Sequence, residues 1–193
     1  GGGTNLQALI DAEKSGIIKS GTINLVISNK AGAYALERAK NAGINTKTIL
    51  KRELGSQEAF EKALIDALEE ADTDIIVLAG FMSILSADFT NHFKDKIINV
   101  HPSLIPSFCG KGFYGLKVHE AALAYGVKVS GATVHFVNEV PDGGKIIMQR
   151  ADSEKDFMGL TNFQGDVPSL QEAVVAKNYL TDTDLAILNR IGT

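Results

Sequence analysis

Residues 57–80 read QEAFEKALIDALEEADTDIIVLAG. The first part, Gln57 to Glu70, carries the strongest helical periodicity in the chain and predicts an amphipathic helix. It is followed by Asp74 to Leu78 (DIIVL), whose apolar run shows no polar alternation. Such a run fits a central parallel strand covered on both faces, because a strand with one wet face alternates. A helix leading into a buried strand through a short break is the repeating unit of an α/β fold.

The same alternation extends in both directions. Upstream, apolar residues near helical spacing predict a helix over Thr4 to Ser15, with Gly16 as its stop. Thr22 to Ser28 (TINLVIS) reads as a β-branched strand, Tyr34 to Asn41 as a helix ended at Gly43, and Ile44 to Leu50 as a second strand. Downstream, a helix from Ser86 to about Phe93 precedes the strand Lys96 to Val100 (KIINV). Lys128 to Val137 and Lys145 to Arg150 then form a predicted antiparallel pair, joined through Pro141-Asp142-Gly143-Gly144. The predicted architecture is α/β: a doubly wound, mostly parallel sheet with an antiparallel extension. Ligands of such sheets sit beyond the carboxyl ends of the strands. The longest irregular stretch, His101 to Gly115, leaves one of those ends and reads as a functional or a mobile loop.

Composition narrows the function classes. The 193 residues include 19 Lys and Arg against 23 Asp and Glu, a formal charge of −4, with 45% hydrophobic content. A core of ordinary size is expected, and neither a nucleic-acid nor an anionic membrane partner is. A single cysteine, Cys109, excludes an internal disulfide and suits a cytoplasmic protein. The apolar runs are too short to cross a bilayer. From Ala151 onward the text changes: acids outnumber bases, and clear periodicity is confined to Ser169 to Lys177 and Thr181 to Arg190. Residues 1–150 are therefore read as one domain and residues 151–193 as an atypical tail.

Three groups of residues invite chemistry. Gly1-Gly2-Gly3-Thr4-Asn5 stands directly before a helix, where free N–H groups and the positive end of the helix dipole favour an anion. Gly3, Thr4 and Asn5 read as a phosphate cradle, as a simple N-cap, or as residues left by cloning. On the strand KIINV, Asn99 and His101 lie two apart and so share a face, with Pro102 ending the strand. A carboxamide and an imidazole aimed together can hold a carbonyl oxygen as charge develops and manage a proton. They read equally as structural residues at a strand end. Asp142 is a natural turn residue in Pro-Asp-Gly-Gly, or a partner that raises the basicity of His101. His92, His119 and His135 read as surface, helical and sheet-face residues respectively. No pair has metal-ligand spacing, so no metal is expected. Cys109 reads as an incidental thiol.

In order, GGGTNLQALID, VISNKAGAYALERAKNAGI, IIVLAGFMSILS, INVHPSLIPSF and TVHFVNEVPDGGKIIMQ closely resemble the folate-dependent phosphoribosylglycinamide formyltransferases, or glycinamide ribonucleotide transformylases, over about residues 1–150. The resemblance implies transfer of the formyl group of 10-formyltetrahydrofolate to the amine of glycinamide ribonucleotide, in purine synthesis, by a cytoplasmic monomer or homodimer needing no metal. It gives Gly3, Thr4 and Asn5 to the substrate phosphate. Met82, Ser83, Ile84 and Leu85, with Asn99, fall to the folate, and Asn99, His101 and Asp142 to catalysis. Other members of the wider group act on transfer RNA or sugar amines, and a catalytically incompetent folate- or nucleotide-binding fragment is the remaining alternative.

Three departures from the family pattern stand out. The family's first strand, expected before the glycines, is missing, so the domain is expected to be truncated. Gln57 stands where many members carry Arg for the folate's acidic tail. The tail from residue 151 resembles RhuM-type virulence proteins in MGLTNF, AKNYL and LNRI, and is not expected to complete the core.

Overall fold

The computed structural model describes residues 2–81 and 83–153. The periodic segments beyond Ser153, and Met82, lie outside the described residues. Residues 2–75 fall in one compact unit and residues 76–153 in a second.

In the first unit the elements are α1 (Thr4–Lys14), β1 (Leu25–Ser28), α2 (Tyr34–Asn41), β2 (Asn45–Thr48), α3 (Lys51–Leu54) and α4 (Gln57–Glu70). β1 and β2 run parallel, from Leu25 opposite Asn45 to Ser28 opposite Thr48. Leu6 and Ile10 of α1 and Ala39 of α2 are buried together, with Ile23, Val26, Ala35, Ala42 and Ile44 packed around them. The α4 helix starts where its sequence predicts, because the Ser56 hydroxyl accepts from the Ala59 N–H (3.1 Å) and satisfies one of the free donors of the first turn. Phe60, Leu64, Ala67 and Leu68 recur on its buried stripe. The first strand is shorter than the β-branched run suggested. The N–H of Ile23 goes to the Glu13 carboxylate (3.2 Å) and the Asn24 carboxamide to the Ala71 carbonyl (2.7 Å), so side-chain contacts hold the stretch before Leu25.

The second unit holds β3 (Ile76–Leu78), α5 (Ala87–His92), β4 (Ile97–His101), α6 (Leu116–Tyr125), β5 (Val129–Phe136) and β6 (Ile146–Ser153). Its sheet has the order β3-β4-β5-β6. The pairing of β3 with β4 is parallel, and those of β4 with β5 and β5 with β6 are antiparallel. The sheet of this unit is mixed, the parallel β3–β4 pair being continued by the expected antiparallel extension of β5 and β6. Ile97 and Ile98 of β4 are buried, as are Phe89 and Phe93 at and just beyond α5, whose rings lie 5.2 Å apart. Ser86 caps α5 through the Phe89 N–H (3.2 Å). At the other end of α6, Gly126 takes a left-handed conformation (φ 82°), and its N–H bonds the Ala122 and Leu123 carbonyls.

One expectation is corrected. β3 is not covered on both faces: Val77 is 42% exposed, and among the described residues the strand is hydrogen-bonded to β4 alone. Continuous apolarity marked the strand correctly but not its coverage, which depends on neighbours that a local run of residues does not specify.

The β5–β6 ladder leaves no room at Gly131, opposite Ala151: a Cβ there would stand 1.9 Å from the Arg150 carbonyl oxygen and 2.9 Å from a Leu104 methyl. Gly131→Ala is expected to cost about 2–3 kcal/mol through forced strand separation, read as a lower urea midpoint.

Candidate active site

β3 and β4 are parallel, with Leu78 opposite Asn99, so the segment after Leu78 and the end of β4 leave the sheet at the same edge. Asn99 and His101 are near and at that carboxyl end. Across the antiparallel ladder Asn99 faces His135, and His101 faces Thr133. Directly opposed residues point their side chains to the same side of a sheet, and residues two apart do so as well. Asn99, His101, Thr133 and His135 consequently form one polar quartet on one face.

Contacts follow from that placement. The Asn99 carboxamide Nδ2 lies 3.2 Å from His135 Nε2. His135 Nδ1 lies 2.8 Å from the carbonyl of Phe136, which can only accept, so Nδ1 carries the proton and Nε2 accepts from Asn99. His101 Nε2 is 2.9 Å from the Phe108 carbonyl and therefore donates to it. Its Nδ1 faces Asp142 Oδ2 at 3.4 Å. An imidazolium here would meet an oxygen on both sides. The other Asp142 oxygen is 3.7 Å from His135 Nε2.

Asp142 occupies a turn closed by the Gly143 N–H and the Val140 carbonyl (2.9 Å), and takes a left-handed conformation (φ 55°). It is a turn residue and also a partner of His101. Its Oδ2 accepts from the Gly110 N–H (2.8 Å), which ties the turn to the long loop after β4. That loop is pinned from beneath. Buried Thr133 accepts from the Ile105 N–H (3.1 Å) and donates to the Ser103 carbonyl (2.7 Å), while Gln149 Nε2 donates to Thr133 Oγ1 and to the Ile105 carbonyl. Ser103 Oγ donates to the Ser107 carbonyl (2.5 Å). The effect is to hold the Phe108 carbonyl where His101 meets it. Phe108 itself carries a positive φ of 50°, a strained conformation for a bulky residue, beside the histidine it contacts.

Burial sets the electrostatics. Desolvation holds the His135 imidazole below its ordinary value, opposed by its bond to the Phe136 carbonyl and by Asp142, and reinforced by His101. His119 on α6, also buried, is lowered by desolvation first and then by His101. The Cys109 thiol is pushed up by burial and by Asp142, and its Sγ donates to the Pro106 carbonyl (3.3 Å), so it lacks the character of a nucleophile.

The remaining expected site residues are placed as follows. Gly3 is the N-cap of α1 with φ 70°, a conformation that favours glycine, and a Cβ there would stand 2.7 Å from Ala35 Cα. Thr4 begins the helix, and no side chain caps it. Asn5 is 8% exposed, and its Oδ1 is buried without a hydrogen-bond partner. These three belong to the first unit, while the quartet and Asp142 belong to the second. Ser83, Ile84 and Leu85 follow β3, with Ile84 68% exposed and Leu85 buried. Gln57 accepts from the Lys51 ammonium and donates to Glu61 (2.5 Å). Among the described residues, no group of three or more His, Cys, Asp or Glu is placed to hold a metal ion, and no helix is long and apolar enough to cross a membrane. Thr133 was not singled out by the sequence, and His135 was read there only as a sheet-face residue. Its signal was its position in a strand, and its meaning required the register with β4.

The chain belongs to the formyl transferase family, whose model matches residues 1–153. Within that class it is similar to the phosphoribosylglycinamide formyltransferase of Escherichia coli (strain K12): 44% identity over 163 residues, 81% of this chain and 74% of that one. The trifunctional purine biosynthetic protein adenosine-3 of Gallus gallus is 46% identical over 151 residues, 78% of this chain, which spans only 14% of that protein's length. Among solved structures, phosphoribosylglycinamide formyltransferase from Bacillus halodurans superposes with a TM-score of 0.81 at 34% identity, covering 98% of this chain and 92% of that one. Residues 128–193 match a second model, that of the RhuM virulence protein family.

Two predictions arise from the site. Thr133→Val keeps the shape but leaves the Ile105 N–H and the Ser103 carbonyl without their partner, and is expected to cost about 1–3 kcal/mol in urea unfolding. His119 and His135 have lowered values when folded and the ordinary one, 6.5, when unfolded. The unfolded chain therefore takes up protons first as pH falls. Their contribution to stability is complete above pH 6.5 and is lost as pH falls toward the folded values, with a slope of up to about 1.4 kcal/mol per pH unit for each histidine. Unfolding midpoints measured from pH 7.5 to 5 on the wild type and on His119→Gln should converge at low pH.

Proposed function

We propose that this chain transfers the formyl group of 10-formyltetrahydrofolate to the amine of glycinamide ribonucleotide, a step of de novo purine biosynthesis. The observation that carries the reading is the meeting of Asn99, His101 and Asp142, linked through His135, in one partly buried cluster of a formyl transferase, at the edge where β3 and β4 both end. The names of its relatives point the same way.

The chemistry follows from the groups present. The amine attacks the formyl carbon, a new C–N bond forms, and the carbonyl electrons move onto oxygen. Asn99 Nδ2–H is one donor to that oxyanion, and a protonated His101 becomes the other when its Nε2–H turns from the Phe108 carbonyl to the substrate. Collapse breaks the bond to the folate N10, and the proton that leaves the amine is balanced by one delivered to N10, with His101 as the carrier. Asp142, fixed by the Gly110 N–H, holds the imidazole and balances its charge. Gly3, Thr4 and Asn5 are assigned to the ribonucleotide phosphate: the α1 N-terminus presents backbone donors and a favourable dipole, and the close approach at Gly3 admits no side chain. Met82 to Leu85 are assigned to the folate. The reading includes small-molecule substrates only, action in the cytoplasm as a monomer or homodimer, and no role in the core for residues 154–193; the boundary expected after residue 150 moves to Ser153, because Ala151, Asp152 and Ser153 pair with Gly131, Ser130 and Val129 as the end of β6.

The test is a formyl-transfer assay of the full chain with both substrates. Turnover is expected, and Asn99→Ala or His101→Ala should lower kcat by about 10²–10³-fold, the usual effect of deleting one oxyanion donor. A folded chain that binds both substrates and transfers nothing would overturn the assignment.

A further inference from the structure

His135 is a buried, titratable side chain that the reaction above does not use. It is 1% exposed, and it touches the proposed oxyanion donor. We propose that His135 is a positioning residue: its neutral, Nδ1-protonated tautomer fixes which way the Asn99 carboxamide points. The inference rests on the formyl-transfer reading of the site and adds a residue to it.

The geometry runs from backbone to substrate. The Phe136 carbonyl can only accept, so at 2.8 Å it selects the Nδ1–H form of His135. Nε2 is then left with a lone pair directed at the Asn99 amide nitrogen, 3.2 Å away. A flipped carboxamide would set Oδ1 against that lone pair, acceptor to acceptor, on a buried imidazole, where such a mismatch is costly. One N–H of Asn99 is thereby committed to His135, and the second N–H and the carbonyl oxygen are fixed in direction. Asp142 Oδ1, at 3.7 Å from Nε2, is beyond hydrogen-bond reach and does not replace the Asn99 contact. Burial acts in the same sense by disfavouring the imidazolium, whose extra proton would abolish the acceptor. The strand register supplies the rest: Asn99 and His135 are direct partners in the β4–β5 ladder, so the two side chains are held together by the sheet.

Kinetics of the full chain separate this role from a purely structural one. His135→Leu removes the acceptor and is expected to lower kcat by about 10²-fold, the scale of a misplaced reacting group, with KM for both substrates little changed. His135→Gln can present a carbonyl oxygen in place of Nε2 and should recover most of that loss. In an Asn99→Ala background, His135→Leu should have almost no further effect on kcat, because the group it orients is gone. Should the two losses instead multiply independently, His135 does not act through Asn99 and the inference fails while the formyl-transfer reading stands. Absence of turnover in the folded, ligand-binding wild type overturns that reading instead. Nitrogen-15 spectra of the wild-type histidines decide the tautomer whether or not a variant folds or the chain turns over. A neutral His135 protonated at Nδ1 at pH 7 is expected, and an imidazolium or an Nε2–H tautomer there overturns the inference.

Discussion

The antiparallel register of β4 with β5 is the constraint on which the site depends. Asn99 opposite His135 and His101 opposite Thr133 are backbone facts of the ladder, and the same-face rule converts them into side-chain neighbours. A slip of one residue on either strand would send half of this quartet to the other side of the sheet.

A second layer of order comes from saturating buried polar groups. The loop after β4 follows the sheet surface closely enough that its N–H and carbonyl groups need partners from protein. Thr133, Ser103 and Gln149 supply them, and the carbonyl of Phe108 is left directed at His101. Asp142 then joins the turn before β6 to Gly110 of this loop while facing the imidazole. Strand end, loop and turn, far apart in sequence, are connected through two side chains, His101 and Asp142. The environments diverge as a result: His135 and His119 are pushed toward the neutral form by burial, while His101 has an oxygen on each side.

Legibility in the sequence followed the range of the interaction. The α4 helix was readable to the residue because its periodicity and its Ser56 cap are local. Tyr34–Asn41 was equally readable, and the β5–β6 pair was announced by its turn. The start of β1 was not, because Ile23 and Asn24 satisfy themselves on Glu13 and Ala71, contacts that no strand propensity encodes. Val77 misled for a related reason: an apolar run records a preference for cover, whereas its exposure records which neighbours pair with it. In the site, Asn99 and His101 could be grouped from their spacing alone. Asp142 stood between two readings that both describe it, a turn residue and a partner of His101. His135 looked like an ordinary sheet histidine, since nothing within its own strand points to Asn99.

By itself, then, the sequence determined the α/β class, the order of most elements, the pairing of Asn99 with His101 on one strand face, and, through its ordered motifs, the formyl transferase resemblance that the family match bears out. These depend on periodicity, on capping and turn chemistry, and on short spacings, all of which act between residues close along the chain. Only the tertiary structure decided that Asp142 faces His101, that His135 meets the Asn99 carboxamide, and that Thr133 shapes the loop beneath the imidazole. Those contacts span tens of residues and are fixed by strand register and burial, which are properties of the folded sheet and of no local stretch of it.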